Sequence, residues 1–243
     1  DSPFLVIWTM RSDFVDDFQA HPEARQLTVR SLSVGPMETE DIARVIRGPA
    51  ELAGVTLEPG LTEHMIHDAN TDDGLPLLAF CLRELHDQYG WHGEIRLDHY
   101  NKLGGITGSL AKVGEEIYKS PGLKDRERKA LRSAFLSMVR IDEGGEIARR
   151  PAHTNELPRD AIPALERFID ARLLVAGFEE VEGGGDTIEV AHEALFRSWR
   201  RLKGWIEENR EFLLWQRRLG FIAQEWAESG RDKNELTEAR HHD

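Results

Sequence analysis

Two short alternating segments separated by a glycine-rich turn place the strongest constraint on the second half of this 243-residue chain. Residues 178–181 and 187–190 flank the turn at 182–186, and this pattern predicts a β-hairpin. Apolar residues at helical spacing predict two helices before it, over 131–139 and 165–174. Helix, helix and hairpin in this order are typical of a winged-helix domain, in which the hairpin is the wing.

A histidine follows the second strand of this hairpin. Ile188 and Val190 alternate with polar residues up to His192, and a helix with Leu195 and Trp199 on one face is predicted to start directly after it. At such a junction, free backbone N–H groups and the positive end of a helix dipole favour an anion. His192 is therefore a candidate anion-binding residue, and a structural, hydrogen-bonded histidine is the alternative.

The first segment of the chain has a different character. The continuous apolar run 4–8 predicts a strand buried in a parallel sheet, and Arg11 would lie at its carboxyl end, where such sheets collect ligands. Residues 27–32 are a candidate neighbouring strand. We interpret residues 1–34 as the last strands of an α/β domain.

Helical patterns dominate the remainder, so the chain is predicted to be mainly α. Residues 35–122 are predicted to form a helical domain, in which one helix is interrupted at Gly48-Pro49 and a long helix opens at Gly74-Leu75-Pro76. Residues 123–206 form the predicted winged-helix domain. Residues 207–243 are predicted to be a helical linker, continuing an apolar stripe on one long helix or two abutting ones.

The charge, hydropathy and cysteine content of the sequence limit which molecules the chain binds and in which setting it works. The net charge is −13, and residues 127–203 carry 13 Lys/Arg against 14 Asp/Glu, which argues against binding to the phosphates of a nucleic acid. No apolar run approaches the roughly 18 residues of a membrane-spanning helix. The single cysteine, Cys81, cannot form an intrachain disulfide and indicates a reducing, cytoplasmic setting.

The sequence offers no complete catalytic motif. His192-Glu193 begins like a zinc-protease helix, but Phe196 stands where the second histidine is required. The segment from Gly114 to Ser120 resembles a Walker A loop only loosely, because it lacks the glycine before Lys119. We therefore assign no catalytic residue and no metal ligand.

Three features remain in a fixed order: Arg11 after an apolar run, Gly74 and Pro76 at a helix start, and His192 after the predicted wing. On this architecture they resemble the second half of a STAND-class nucleotide-switch ATPase, the class of signal-transduction ATPases that includes the NACHT and NB-ARC proteins. The likeness extends to the bacterial STAND NTPases that often precede WD40 repeats. It also covers Arg47-Gly48-Pro49-Ala50.

The resemblance implies a role for each position. Arg11 corresponds to the arginine that faces the γ-phosphate, and Pro76, in the Gly74-x-Pro76 motif, to the lid proline that packs on the adenine. His192 corresponds to the winged-helix histidine that reaches the β-phosphate of ADP and holds the closed state. Glu193 is a poor neighbour for phosphate, so we expect it to cap the helix or to point away.

The family also implies components that this sequence lacks. The Walker A lysine, the Mg²⁺-holding Ser/Thr and the Walker B acid are expected in a P-loop core before Asp1, so the ADP or ATP and its Mg²⁺ would bind in the longer protein. The implied partners are that core, a downstream repeat or sensor domain such as WD40, and further copies of the chain after activation. Two alternatives stay open: a nucleotide-independent helical and winged-helix adaptor, and a winged-helix DNA-binding regulator.

Overall fold

A computed structural model describes residues 6–10, 15–70, 74–141, 144–178 and 185–228. The chain divides into two compact units, Asp1–Glu38 and Thr39–Asp243.

The described residues of the first unit, 6–10 and 15–38, contain little regular structure. Helix α1 spans Val15–Ala20 and a 3-10 turn spans Ala24–Gln26. The predicted strands at 4–8 and 27–32 are not found, because residues 6–10 and 27–34 form no strand and Ile7 is 82% exposed. A strand is stable only when a neighbour pairs with its backbone, and no strand pairing occurs among the described residues of this unit.

Five α-helices form the first half of the second unit. They are α2 (Thr39–Leu52), α3 (Leu61–Asp68), α4 (Gly74–Tyr89), α5 (Leu97–Leu103) and α6 (Gly105–Lys119). The short strands β1 (Thr56–Leu57) and β2 (Glu94–Ile95) pair in parallel. The predicted break at Gly48-Pro49 is wrong, since α2 continues through Pro49 to Leu52. Pro49 lies in the last turn of α2, so the helix forgoes the hydrogen bond that an N–H there would donate to the carbonyl of Val45, and it ends three residues later at Leu52.

A hairpin is present with its second strand where the sequence predicts it, but its first strand lies at 174–178, before the predicted segment 178–181, of which residues 179–181 lie outside the described residues. Helix α7 (Asp125–Ser137) is followed by the antiparallel strands β3 (Val139–Ile141) and β4 (Ile147–Arg149), then by β5 (Ala152–His153) and α8 (Ile162–Asp170). Strands β6 (Leu174–Phe178) and β7 (Asp186–Val190) pair antiparallel, and β7 lies between β5 and β6 in a three-stranded sheet. The tip at 179–184 lies outside the described residues.

The helical stripe after the sheet divides into three helices, more than the one or two predicted. These are α9 (Ala194–Ser198), α10 (Arg200–Glu208) and α11 (Arg210–Glu228). The first break falls at Trp199, whose backbone is extended with φ −82° and ψ 98°. The second falls at Asn209, whose side-chain amide donates to the carbonyl of Trp205 at 2.7 Å.

An aromatic cluster joins the two halves of the second unit. The Trp199 ring centroid lies 5.4 Å from that of Phe135 on α7, 5.7 Å from Phe168 on α8 and 5.7 Å from Trp205 on α10. Tyr118 on α6 meets Trp205 edge to face at 5.6 Å. The buried core is therefore continuous from the helical half to the sheet-containing half.

The single cysteine lies in the same core. Cys81 on α4 is fully buried, and its thiol lies 3.8 Å from the carbonyl of Gly105. Burial raises the pKa of the Cys81 thiol to about 12, since a thiolate would lose its hydration there.

We expect Trp199→Ala to lower the free energy of unfolding by about 3–5 kcal/mol, because it removes the largest fully buried side chain and leaves a cavity among four elements. Urea denaturation followed by circular dichroism measures the loss. Trp91→Ala is the matched control, since Trp91 is 77% exposed and its removal should change the free energy by less than about 1 kcal/mol. Equal losses in the two variants would contradict this account of the core.

Candidate functional site

The structure locates three of the four predicted site residues. Gly74 and Pro76 lie in the first turn of α4, and His192 lies between β7 and α9. Arg11 lies outside the described residues. Helix α6 packs against both α4 and α9, so the two located sites are attached to one common helix.

Gly74 is required by the close approach of two helices. It is buried, and a Cβ at this position would lie 1.7 Å from the carbonyl oxygen of Ala69, at the end of α3. Any side chain would force these helices apart. The glycine of the Gly74-Leu75-Pro76 motif therefore fixes where α4 begins.

Pro76 is exposed in the first turn of α4. A proline is tolerated there because the first N–H groups of a helix have no partner within the helix. Its neighbour Leu75 is 37% exposed. Together the two side chains place an apolar surface at the helix start, on which a flat aromatic ring can pack.

We expect Gly74→Ala to destabilise the protein by roughly 1–3 kcal/mol, because the new methyl group overlaps a backbone carbonyl that belongs to a packed helix. Thermal unfolding measures the change. Gly204→Ala is the matched control: it lies within α10, where a Cβ meets no atom within 4 Å, so alanine should stabilise the helix by roughly 0.5–1 kcal/mol. An unchanged stability in Gly74→Ala would show that the end of α3 and the start of α4 can move apart at little cost.

His192 is held at a well-anchored junction. The N–H of Ala191 donates to the carbonyl of Leu173 at 3.0 Å, and the carbonyl of His192 accepts from the N–H of Leu195 at 2.9 Å. The side chain of His192 is half-buried. Because α9 has only five residues, its dipole contributes less to anion binding than the long predicted helix would. The imidazole itself is the main candidate donor at this position.

Glu193 points away from the helix start, one of the two outcomes expected for it. Its Oε1 accepts a hydrogen bond from the backbone N–H of Arg149 on β4 at 2.9 Å, and its side chain makes no capping hydrogen bond to α9. The carboxylate is therefore engaged with the β3–β4 hairpin.

A charged network on α6 reinforces its contact with α9 and α10. Glu115 accepts from the indole N–H of Trp199 at 2.9 Å and from Arg201 through both oxygens, at 3.0 and 2.7 Å. Lys119 lies 3.2 Å from the same carboxylate, and the Arg201 guanidinium stacks over Tyr118 with its carbon 4.0 Å from the ring centroid. Only the Glu115–Lys119 pair, four residues apart on one helix, could have been found from the sequence.

These cations hold the pKa of Glu115 at about 2, below its ordinary value of 4.5, with the Arg201 hydrogen bond as the largest cause. A depressed carboxylate pKa contributes stability above the unfolded-state value, and that stability is lost as the pH falls from about 4.5 towards 2.

We therefore expect Glu115→Gln to be less stable than the wild type at neutral pH by about 1–2 kcal/mol, allowing for solvent screening, and the difference to shrink below pH 4.5. Urea denaturation across pH 2.5–7 measures it. Glu116→Gln is the control, since the Glu116 side chain is 59% exposed and its carboxylate lies 4.0 Å from the ammonium group of Lys112. If the difference in the free energy of unfolding stayed constant across this pH range, the lowered pKa of Glu115 would be contradicted.

An open groove of about 640 Å³ lies beside this network, between α6 and the α9–α10 segment. Its lining mixes both signs of charge, with Lys112, Arg200 and Arg201 against Glu115 and Glu208. Arg201 pairs with Glu115 at 2.7 Å and Lys112 lies 4.0 Å from Glu116, so two of the three cations are already engaged and the groove is a poor phosphate site.

Helix α8 would be the groove-reading helix if the chain were a DNA-binding winged helix, and its C-terminal end is bound by the helical half of the unit. Arg167 donates to the hydroxyl of Ser120 at 3.0 Å, and Arg83 on α4 donates to the carbonyl of Ala171 at 3.1 Å. With the balanced charge of this region, these contacts argue against duplex recognition.

In the described ranges, no group of three or more His, Cys, Asp or Glu residues is arranged to hold a metal ion. No helix there is long and apolar enough to cross a bilayer.

The model of one protein family, described as Novel STAND NTPase 1, matches residues 1–234. The chain belongs to this family. Neither the curated proteins nor the solved structures gave a match. Membership places the chain among signal-transduction NTPases, a class defined by nucleotide binding. It confirms the resemblance to the STAND class as a whole.

Proposed function

We propose that this chain is the lid and winged-helix regulatory part of a STAND ATPase, which holds ADP in a closed state and releases on exchange for ATP to allow oligomerisation. The observation that carries the proposal is that the two motifs shared with STAND ATPases are both attached to one helix, α6. The α4 start with Pro76 and the β7–α9 junction with His192 both belong to elements that pack on α6.

The order of elements supports the winged-helix part of the proposal. Helices α7 and α8 precede the β6–β7 hairpin, and the short strand β5 completes a sheet in the order β5-β7-β6. His192 follows the last strand of this sheet directly. The position of the histidine is thus fixed by the sheet, and the family match makes a nucleotide its reasonable ligand.

Each located residue has a chemical role in this proposal. The imidazole of His192 donates a hydrogen bond to a β-phosphate oxygen, and the exposed ring of Pro76 packs on the adenine. Arg11 lies outside the described residues, and the proposal keeps for it the γ-phosphate role that the resemblance implies. The sequence contains no Walker A motif, so the proposal assigns the phosphate-cradling loop and the Mg²⁺ ligands to a P-loop core outside these 243 residues.

The packing of α6 against α9 also limits which parts of the chain can separate when ADP is exchanged for ATP. Separating α6 from α9 would expose Trp199, which is 1% exposed, and would leave Glu115 without its two main donors. Both changes are costly. We therefore propose that the Pro76 and His192 motifs move as one body.

The test is retention of ADP by this chain together with its P-loop core. We expect His192→Ala to accelerate ADP release by about tenfold or more, because a hydrogen bond to a charged group contributes roughly 1.5–3 kcal/mol. Fluorescent-nucleotide exchange measures the rate. His64→Ala is the control, since His64 is exposed on α3 and contacts the carbonyl of Gly60 at 2.9 Å.

The possible outcomes separate the alternatives. Unchanged ADP affinity and exchange rate in His192→Ala would remove this residue from the mechanism. Wild-type protein that retains no nucleotide would favour the nucleotide-independent adaptor. Duplex binding with a steep salt dependence would favour the DNA-binding regulator.

A further inference from the structure

A hydrogen bond between α5 and the end of α3 lies next to the start of α4. The hydroxyl of Tyr100, on α5, donates to Oδ2 of Asp68 at 2.6 Å. Tyr100 is 3% exposed, whereas Asp68, the last residue of α3, lies at the surface. Burial is the largest cause that raises the pKa of Tyr100, and the hydrogen bond to Asp68 raises it further, so the phenol stays protonated and remains the donor. A buried phenol therefore ties an exposed carboxylate to the core.

The end of α3 that this bond holds is the same backbone that limits α4. Ala69 directly follows Asp68, is 4% exposed, and donates its N–H to the carbonyl of Met65 at 2.9 Å. Its own carbonyl oxygen leaves no room for a Cβ at Gly74, which would lie 1.7 Å away. Pro76 follows two residues later in the first turn of α4. A shift of the α3 end would therefore move the start of α4, and Pro76 with it.

The same hydrogen bond lies against the first residue of α6. A Cβ built on Gly105 would lie 3.5 Å from the hydroxyl oxygen of Tyr100 and 3.6 Å from Oδ2 of Asp68. The carbonyl of Gly105 also accepts from the thiol of Cys81, on α4, at 3.8 Å. Four helices, α3 to α6, therefore meet around the hydroxyl of one tyrosine.

Helix α6 connects this junction to the second motif, because it packs against α9, which begins two residues after His192. The base and the phosphates of one nucleotide are separated by a covalently fixed span. Two motifs that contact its two ends bind most tightly when their separation is already set before the nucleotide arrives. A bond that fixes α3 and α4 on α6 sets this separation.

We propose that Tyr100 is a positioning residue for the nucleotide, which acts through Asp68 to hold Pro76 at the distance from His192 that an adenine nucleotide requires. This role rests on the proposed function, in which Pro76 packs on the adenine and His192 binds the β-phosphate. Because Tyr100 is buried, it acts without touching the nucleotide. Loss of its hydroxyl displaces the α4 start and leaves α9 on α6, so the effect falls on the base and not on the phosphates.

Calorimetric titration of this chain together with its P-loop core is the test, with ADP and with pyrophosphate as the probe that lacks a base. We expect Tyr100→Phe to weaken ADP binding by about threefold to tenfold, because the hydrogen bond to a charged group no longer holds the end of α3. Pyrophosphate binding should change by less than about twofold, since the contact of His192 with phosphate is kept. A variant that was merely less folded would lose affinity for both probes equally.

Variants of Asp68 identify the hydrogen bond as the cause. Asp68→Ala should reproduce the loss of ADP affinity, whereas Asp68→Asn should retain most of the wild-type affinity, because the amide keeps an oxygen that accepts from the phenol. Tyr100→Phe combined with Asp68→Ala should bind ADP no more weakly than either single variant, since both changes remove the same bond.

Tyr89→Phe is the matched control. It removes a phenolic hydroxyl at the far end of α4 and keeps the ring, which stacks on His99 with centroids 4.1 Å apart. Both affinities should be unchanged in this variant.

Three results would overturn the role of Tyr100: an ADP affinity that does not change in Tyr100→Phe, ADP and pyrophosphate affinities that fall together, or an Asp68→Asn variant as weak as Asp68→Ala. If the wild-type protein retains ADP in these experiments, the proposed function is unaffected by such a failure. Wild-type protein that binds no ADP would instead overturn the proposed function, and the role of Tyr100 with it. Weaker binding of both probes in His192→Ala, but of ADP alone in Tyr100→Phe, would support the two together.

Discussion

The burial of Trp199 is the interaction on which the second unit depends. Its ring is enclosed by aromatic side chains from α7, α8 and α10, and its indole N–H is satisfied by Glu115 on α6. A buried indole without an acceptor would be costly, so the carboxylate allows the ring to occupy the centre of the core. The lack of a side chain at Gly114 completes the fit, since a Cβ there would lie 3.2 Å from the Trp199 ring.

This arrangement explains why the strand-to-helix junction has a defined geometry. The extended backbone of Trp199 ends α9 after five residues, and the side chain then anchors the segment between His192 and α10. His192 is thereby held between a sheet strand and a buried tryptophan. A residue proposed to recognise a phosphate oxygen benefits from such restraint, because little freedom is left to lose on binding.

Local patterns allowed much of this fold to be predicted, and long-range contacts account for what they missed. The apolar periodicity indicated the helical domain over 35–122 with the helix that opens at Gly74, and the alternation indicated the β6–β7 hairpin, since both signals depend on neighbours in the chain. The break at Trp199 depends on packing against distant helices, so helical spacing alone could not reveal it. The Glu115–Arg201 pair joins residues 86 positions apart and leaves no local signal. For residues 4–8 and 27–32, the apolar composition indicated strands, but the pairing partners that a strand needs are not found among the described residues of that unit.

The enclosure of Cys81 has a practical consequence. The chain has one cysteine, and its thiol is both inaccessible and held in the protonated, unreactive form at neutral pH. The folded wild-type chain is therefore not expected to react with thiol reagents. A cysteine introduced at the surface would be the only site to accept a dye or spin label, so distances within the working protein can be measured without first removing a native residue.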